Sequence, residues 1–419
     1  MKKFAQAVCL VLACAGIGAG EVRLPVPRLA DDVPVSRREV EVAMSRGVAF
    51  LLSNQNADGS WGRYLKTLSD PVACPAPYGP LSFRVGTTSL DMMALMQAAP
   101  DDARARAAVD RAAVWLLREL PRLRRPSVDV LYNNWGYAYG LQALCALARR
   151  DAGNPEKVEE YRRAAMQVLA HLNRYSNLKG GWGYYEFADR TARPSWASMS
   201  FMTAAVLVAV KEAELCFNMG LDQPVCNRAL ALIRRLRTPE GTFLYGDHMI
   251  GTGEAAPVNR HLGSLGRTAA CNHALFRYGV PLVGRQDVSD GLDWMWARNG
   301  WLLLAKKWPI PHESFGKNAG YFVFFGYYYA GLSLEIAPPE TRARHARLLA
   351  RILLPQQEPS GCWWDFPMMD YHRQYGTGFA LMALSCARAC LPEEQRLATG
   401  GSVEEGRSGN GLDAGGGRG

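Results

Sequence analysis

One spacing recurs along this chain, and it constrains the fold more than any other feature. In "LLSNQNADGSW", Leu51, Gln55, Gly59 and Trp61 are separated by four, four and two residues, and the same intervals return at Leu353, Gln357, Gly361 and Trp363. A degenerate copy runs through Ile233, Arg237, Gly241 and Phe243, and a looser one through Leu169, Asn173, Gly180 and Trp182. Each copy follows one apolar-periodic segment and precedes another, so the repeating unit reads as helix, Gly-aromatic turn, helix. Six such units succeed one another at a period of roughly 50 to 70 residues.

The two helices of a unit differ in character. The first is amphipathic and rich in arginine, as in "RARAAVDRAAVWLLREL". The second is apolar or small on every side, as in "ASMSFMTAAVLVAV" and "YFVFFGYYYAGLSL". A helix without a polar face expects burial all round. Six amphipathic helices outside six buried ones predict an all-α chain, an (α/α)6 toroid of six helical hairpins in one domain spanning 37–391.

The flanks read differently. Residues 1–20, "MKKFAQAVCLVLACAGIGAG", have two lysines, a short apolar core and a small-residue end, the pattern of a removed Sec signal peptide. A secreted or periplasmic location is therefore expected. Residues 21–36 carry three prolines and read as an extended leader, and the Gly-rich, polar 392–419 as a disordered tail. No run reaches the about 18 apolar residues of a membrane span.

Net charge is +9, but the arginines are spread over helices instead of clustering with aromatics, which gives nucleic-acid binding no support. The ten cysteines form no CxxC pair, and two of them, Cys9 and Cys14, lie in the signal segment. Cys216 and Cys226 bracket a loop and can be bridged in an oxidising compartment. The turn "NQNADGSW" could grip a sugar, bind calcium or fasten the fold. Its single acid, Asp58, is too few for a calcium loop, and its recurrence favours a fastener.

The segment "RGVAFLLSNQNADGSWG" resembles the QW motif of the prenyltransferase and squalene-oxidase repeat of squalene-hopene cyclases and protein prenyltransferase β subunits. The likeness runs from about Arg46 to Cys390 and implies the toroid fold, with Gln and Trp tying each outer helix to the next element. It carries over little of the chemistry. The cyclase acid, Asp-x-Asp-Asp, has only "DGLD" at Asp290–Asp293 as its nearest text. "DYHRQY" at Asp370–Tyr375 is similar to the prenyltransferase segment whose His binds zinc, and His372 falls on that ligand position. The accompanying Asp-x-Cys is incomplete, since Cys271 has Ala269 in place of the acid, so no metal site is expected.

Inner helices running the same way bring their N-termini to one mouth, where polar ends converge and the helix dipoles favour an anionic group. Candidate catalytic residues there are Asp370, His372, Tyr375, Arg267, Cys271 and His273. His372 beside Asp370 is an acid-base or metal candidate, whereas His273 reads either as a base or as a hydrogen-bonded core residue. Candidate ligand-binding residues are Asn133, Asn134, Tyr137, Tyr321, Phe325 and Tyr328. The aromatic run Tyr321–Tyr329 either lines a pocket or packs between helices.

The functional expectation is binding or processing of a hydrophobic, isoprenoid-like ligand in the toroid cavity. The alternatives are a non-catalytic scaffold and a polysaccharide-processing toroid, so the partner is a hydrophobic small molecule or a glycan. The sequence leaves any cofactor and the oligomeric state unassigned.

Overall fold

The computed structural model describes residues 34–63, 79–123, 133–184, 197–247, 257–368 and 370–392. The signal segment, most of the leader and nearly all of the tail lie outside them. Outer helices α1 (Arg37–Ser53), α3 (Ala103–Glu119), α5 (Pro155–Arg174), α7 (Gln223–Leu236), α9 (Arg285–Ala297) and α12 (Pro339–Leu353) alternate with six inner ones. The inner helices are α2 (Gly79–Ala98), α4 (Asn133–Arg150), α6 (Ser200–Phe217), α8 (Leu265–Arg277), α11 (Phe322–Ser333) and α13 (His372–Cys390). Each inner helix packs on the next, and α13 packs on α2, which closes the ring. The protein is an all-α (α/α)6 toroid.

The local chemistry of each element suits its place. Ser36 caps α1 in a reciprocal pair with Glu39, and Asp102 and Asn154 cap α3 and α5. On α3, Ala105, Ala108, Val109, Ala112 and Leu116 bury one stripe, while every residue of α6 from Ser200 to Val210 is buried. The fifth outer segment differs from the single helix expected. It breaks at Arg298 into α9 and a short α10 (Asn299–Leu303), and the buried Asn299 at the break accepts a hydrogen bond from Tyr327 Oη at 2.6 Å.

The repeated turns hold neighbouring units together. The Trp61, Trp182 and Trp363 indole N–H groups donate to Leu51, Leu172 and Leu353 carbonyls at 2.8, 3.0 and 2.9 Å, satisfying carbonyls near the ends of their outer helices. Their backbone N–H groups donate at 3.0 Å to Thr88, Thr203 and Thr377 on the following inner helices. All three indoles are fully buried. Removing such a ring from water contributes roughly 4–6 kcal/mol, several times the single indole hydrogen bond.

The other turn position also reaches the next outer helix, through an amide–carbonyl bond in the Gln copies and through other chemistry in the degenerate ones. Gln55 Nε2 donates to Ala108 O on α3 at 2.8 Å, and Asn173 Oδ1 accepts from the N–H of Asp222, just before α7, at 2.9 Å. Arg237 Nη2 meets Asp287 on α9 at 3.3 Å. The glycines allow this close approach. Gly59, Gly180 and Gly361 have φ of +93°, +104° and +90°, and an added Cβ would sit 2.6, 2.2 and 2.6 Å from a carbonyl oxygen of the neighbouring outer helix.

The described cysteines are all free, so the expected Cys216–Cys226 bridge is not formed. Cys216 instead donates to the Cys145 carbonyl on α4 at 3.6 Å, because α6 packs against α4 at this end.

Candidate functional site

A cavity of about 330 Å³ opens at the N-terminal ends of the inner helices. Its walls follow a simple pattern. Trp135 and Tyr139 on α4, Tyr321 and Phe325 at the start of α11, and Tyr375 and Phe379 on α13 are aromatic pairs four residues apart, which a helix sets on one face. Phe83, Leu90, Phe366 and Met368 complete an apolar body. The rings interlock: Trp135 stacks on Tyr139 at 5.7 Å and meets Phe325 edge-on at 5.7 Å.

Polar groups gather on one side. His312 lies in the segment between α10 and α11 with a left-handed backbone (φ 62°), as does Lys317 (φ 55°). Such conformations in non-glycine residues carry strain that the surroundings must hold. His312 Nδ1 contacts Lys317 O at 2.8 Å, so Nδ1 carries the proton. Nε2 lies 3.0 Å from Tyr321 Oη. Tyr321 Oη is 3.4 Å from Tyr245 Oη, which is 2.6 Å from Tyr184 Oη. Burial lowers the His312 pKa, so the imidazole is neutral. Three phenols and a neutral imidazole thus form one hydrogen-bonded array on the cavity wall.

A second polar pair lies at Tyr375, whose hydroxyl donates to Asp365 Oδ1 at 2.9 Å. Asp365 Oδ2 accepts the N–H of Phe324, in the first turn of α11, at 3.0 Å. Burial nevertheless raises this carboxyl to about 7. Another acid, Asp91, lies one helical turn beyond the cavity-lining Thr87, against Gly378. Neither of its oxygens has a hydrogen-bond partner among the described residues, and burial raises its pKa well above the usual carboxylate range.

Of the residues singled out from sequence, Tyr321, Phe325 and Tyr375 line the cavity. The others are placed elsewhere. Arg267 is fully buried, and its guanidinium donates to the carbonyls of Phe243, Gly263 and Val258 at 2.9, 2.5 and 2.6 Å, fixing the fourth turn. Burial lowers its pKa to about 10 and raises the Cys271 thiol to about 12. His273 lies 3.5 Å from Ser333 between inner helices, and burial lowers it to about 3. Asp370 pairs with Arg63 at 3.4 Å at the rim, and the His372 ring packs edge-on against Trp364 at 5.1 Å.

Asn134 donates to Gly183 O at 2.7 Å, beside the buried Asn133. Tyr137 stacks on His171 at 5.3 Å and lines a separate cavity of about 230 Å³ between the end of α3 and α5. Tyr328 donates to Gln142 at 2.8 Å in the inner-helix core. Among the described residues, no three His, Cys, Asp or Glu side chains gather to hold a metal ion.

The residues missed were His312, Tyr184, Tyr245, Trp135, Tyr139 and Phe379. The spacing of four between aromatics at inner-helix starts is a signal that could have found Trp135, Tyr139 and Phe379. Nothing in the sequence marks His312, whose segment has no apolar period.

No family model matches the sequence, and no curated protein matches it. Solved structures do. A possible GH105-family member from Klebsiella pneumoniae aligns with a TM-score of 0.52 at 13% identity, covering 90% of this chain and 99% of that one. The fold is shared. The apo type II terpene cyclase MstE from Scytonema aligns at a TM-score of 0.45 and 16% identity over 85% of this chain and 99% of that one. A wild-type glycosidase gives 0.48 and 12% over 85% and 98%. Toroids host unrelated chemistries, so this likeness informs architecture alone.

Proposed function

We propose that the protein binds a hydrophobic, isoprenoid-like molecule in the central cavity of the toroid, as an extracytoplasmic relative of the terpenoid cyclase and prenyltransferase repeat proteins. The observation that carries this reading is the cavity wall, which is aromatic and aliphatic apart from a few hydrogen-bonding groups, chiefly the His312–tyrosine array and the Tyr375 hydroxyl. Its 330 Å³ lies at the lower end of the roughly 300–1,000 Å³ of small-molecule sites. In this reading Tyr321, Phe325 and Tyr375 contact the ligand, together with Trp135, Tyr139 and Phe379. A polysaccharide site calls for paired carboxylates facing one cleft, and no Asp or Glu is among the described lining residues.

Turnover of the ligand is a second reading, favoured by Asp365. A carboxyl near 7, joined to a cavity-wall phenol, can exchange protons at neutral pH. Asp365→Asn would then abolish turnover and leave binding in place.

The binding test uses Gly86, which lines the cavity and whose added Cβ would approach nothing closer than 3.9 Å. Gly86→Leu should fill the cavity without disturbing the ring. The wild type is expected to bind farnesene, read by quenching of tryptophan fluorescence, and Gly86→Leu to lose that binding while keeping its helical circular dichroism. Saturable binding of oligosaccharides, with none of farnesene, would overturn the proposal.

A further inference from the structure

We infer that the ligand carries a neutral hydroxyl head group, an alcohol or phenol, which donates its proton to the tyrosine array. This rests on the reading of the cavity as an apolar-ligand site and names the chemistry of the ligand's polar end.

The direction of the array follows from proton counting. His312 gives its Nδ1 proton to Lys317 O, so neutral Nε2 can only accept, and Tyr321 must donate to it. Tyr321 then has no proton for Tyr245, and Tyr245 must donate to Tyr321. By the same logic the 2.6 Å contact between Tyr184 and Tyr245 has Tyr184 as donor. One assignment satisfies all three contacts, and in it every phenol proton points toward His312.

The array therefore offers oxygen lone pairs to the cavity. A phenol oxygen accepts two hydrogen bonds, and Tyr245 takes one from Tyr184. A ligand O–H can fill the remaining acceptor site. An ether oxygen brings only lone pairs and would leave that acceptor without a partner.

An anionic head group is disfavoured on separate grounds. No Lys or Arg is among the described lining residues, and the nearby Arg267, 5.6 Å from the Tyr245 ring, is committed to three backbone carbonyls. Three of the helix N-termini, expected from sequence to attract an anion, have an N–H already engaged. The N–H groups of Asn134 and Ser200 donate to the Tyr184 and Tyr245 carbonyls at 3.4 and 3.0 Å, and that of Phe324 donates to Asp365. A diphosphate or carboxylate would be desolvated here without a counter-charge.

The experiment compares four probes, farnesene, farnesol, farnesyl methyl ether and farnesyl diphosphate, by tryptophan-fluorescence titration of the full chain. Farnesol is expected to bind about tenfold more tightly than the ether, the difference of one hydrogen bond, with the diphosphate weakest. Tyr245→Phe keeps the ring packing on Phe201 and should abolish the preference, so that farnesol and the ether bind the variant with equal affinity. Farnesol and ether binding equally, or the diphosphate binding most tightly, would overturn the hydroxyl assignment and leave the apolar site standing. If none of the four binds, both proposals fall.

Discussion

The side-chain amide of Gln357, at the end of the last outer helix, donates to the carbonyl of Ala43 on the first at 2.8 Å, across 314 residues of sequence. Gln55 makes the same bond from the first turn to Ala108 on α3, across 53 residues. Chemically these contacts are equivalent. Topologically they differ, because Gln357 belongs to the junction where the two ends of the toroid meet.

Gln357→Ala removes the bond to Ala43 and a second one to Gly361 O, which should lower unfolding free energy by about 1–3 kcal/mol. Gln55→Ala should cost a similar amount by chemical denaturation. Hydrogen exchange separates them: Gln357→Ala should speed exchange in α1 and α13 together, while Gln55→Ala acts at the α1–α3 junction. Identical exchange patterns would refute a closing role for Gln357.

Arg267 is a structural cation, and its replacement tests that assignment. Arg267→Met leaves the carbonyls of Phe243, Gly263 and Val258 without their donor. Breaking such a buried charged network costs about 3–5 kcal/mol. A denaturant midpoint close to wild type would mean that these carbonyls find other donors.

Asp365 should impose a pH dependence on stability. Its folded-state pKa, about 7, is raised above the ordinary 3.8, so the folded state holds the proton more tightly than the unfolded chain. Stability from this group is then complete below about pH 4 and is lost as pH rises through 7. Asp365→Asn lacks that loss. Relative to wild type, the variant should gain about 2–3 kcal/mol between pH 5 and pH 8, measured by urea denaturation at each pH. A constant difference across that range would show that Asp365 does not titrate there.

Cys216 should be the most reactive of the described thiols. A side-chain hydrogen bond from the Cys145 thiol, assisted by Arg149, holds its pKa below the ordinary thiol value, and its side chain is half-buried. Burial raises Cys226 and Cys271 instead. Brief alkylation with iodoacetamide at pH 7, followed by peptide mapping, should label Cys216 first. Labelling of Cys226 ahead of it would contradict this order.

The ring was legible in the sequence because its signals are local. The Leu-Gln-Gly-Trp spacing, the arginine-rich amphipathic stripes and the all-round apolar inner helices each need only a few turns of chain to read. Which inner-helix faces enclose the cavity was not legible, since a helix such as Phe322–Ser333 is buried on every side and its composition carries no phase. Tertiary structure alone decided that Tyr321 and Phe325 face the cavity while Tyr328 packs against Gln142 in the core. It likewise decided that Arg267, a plausible site cation by sequence, binds carbonyls from Phe243 to Gly263. His312 joins three tyrosines from two other turns and the start of α11, a meeting that depends on the packing of three neighbouring units and has no imprint in the local sequence.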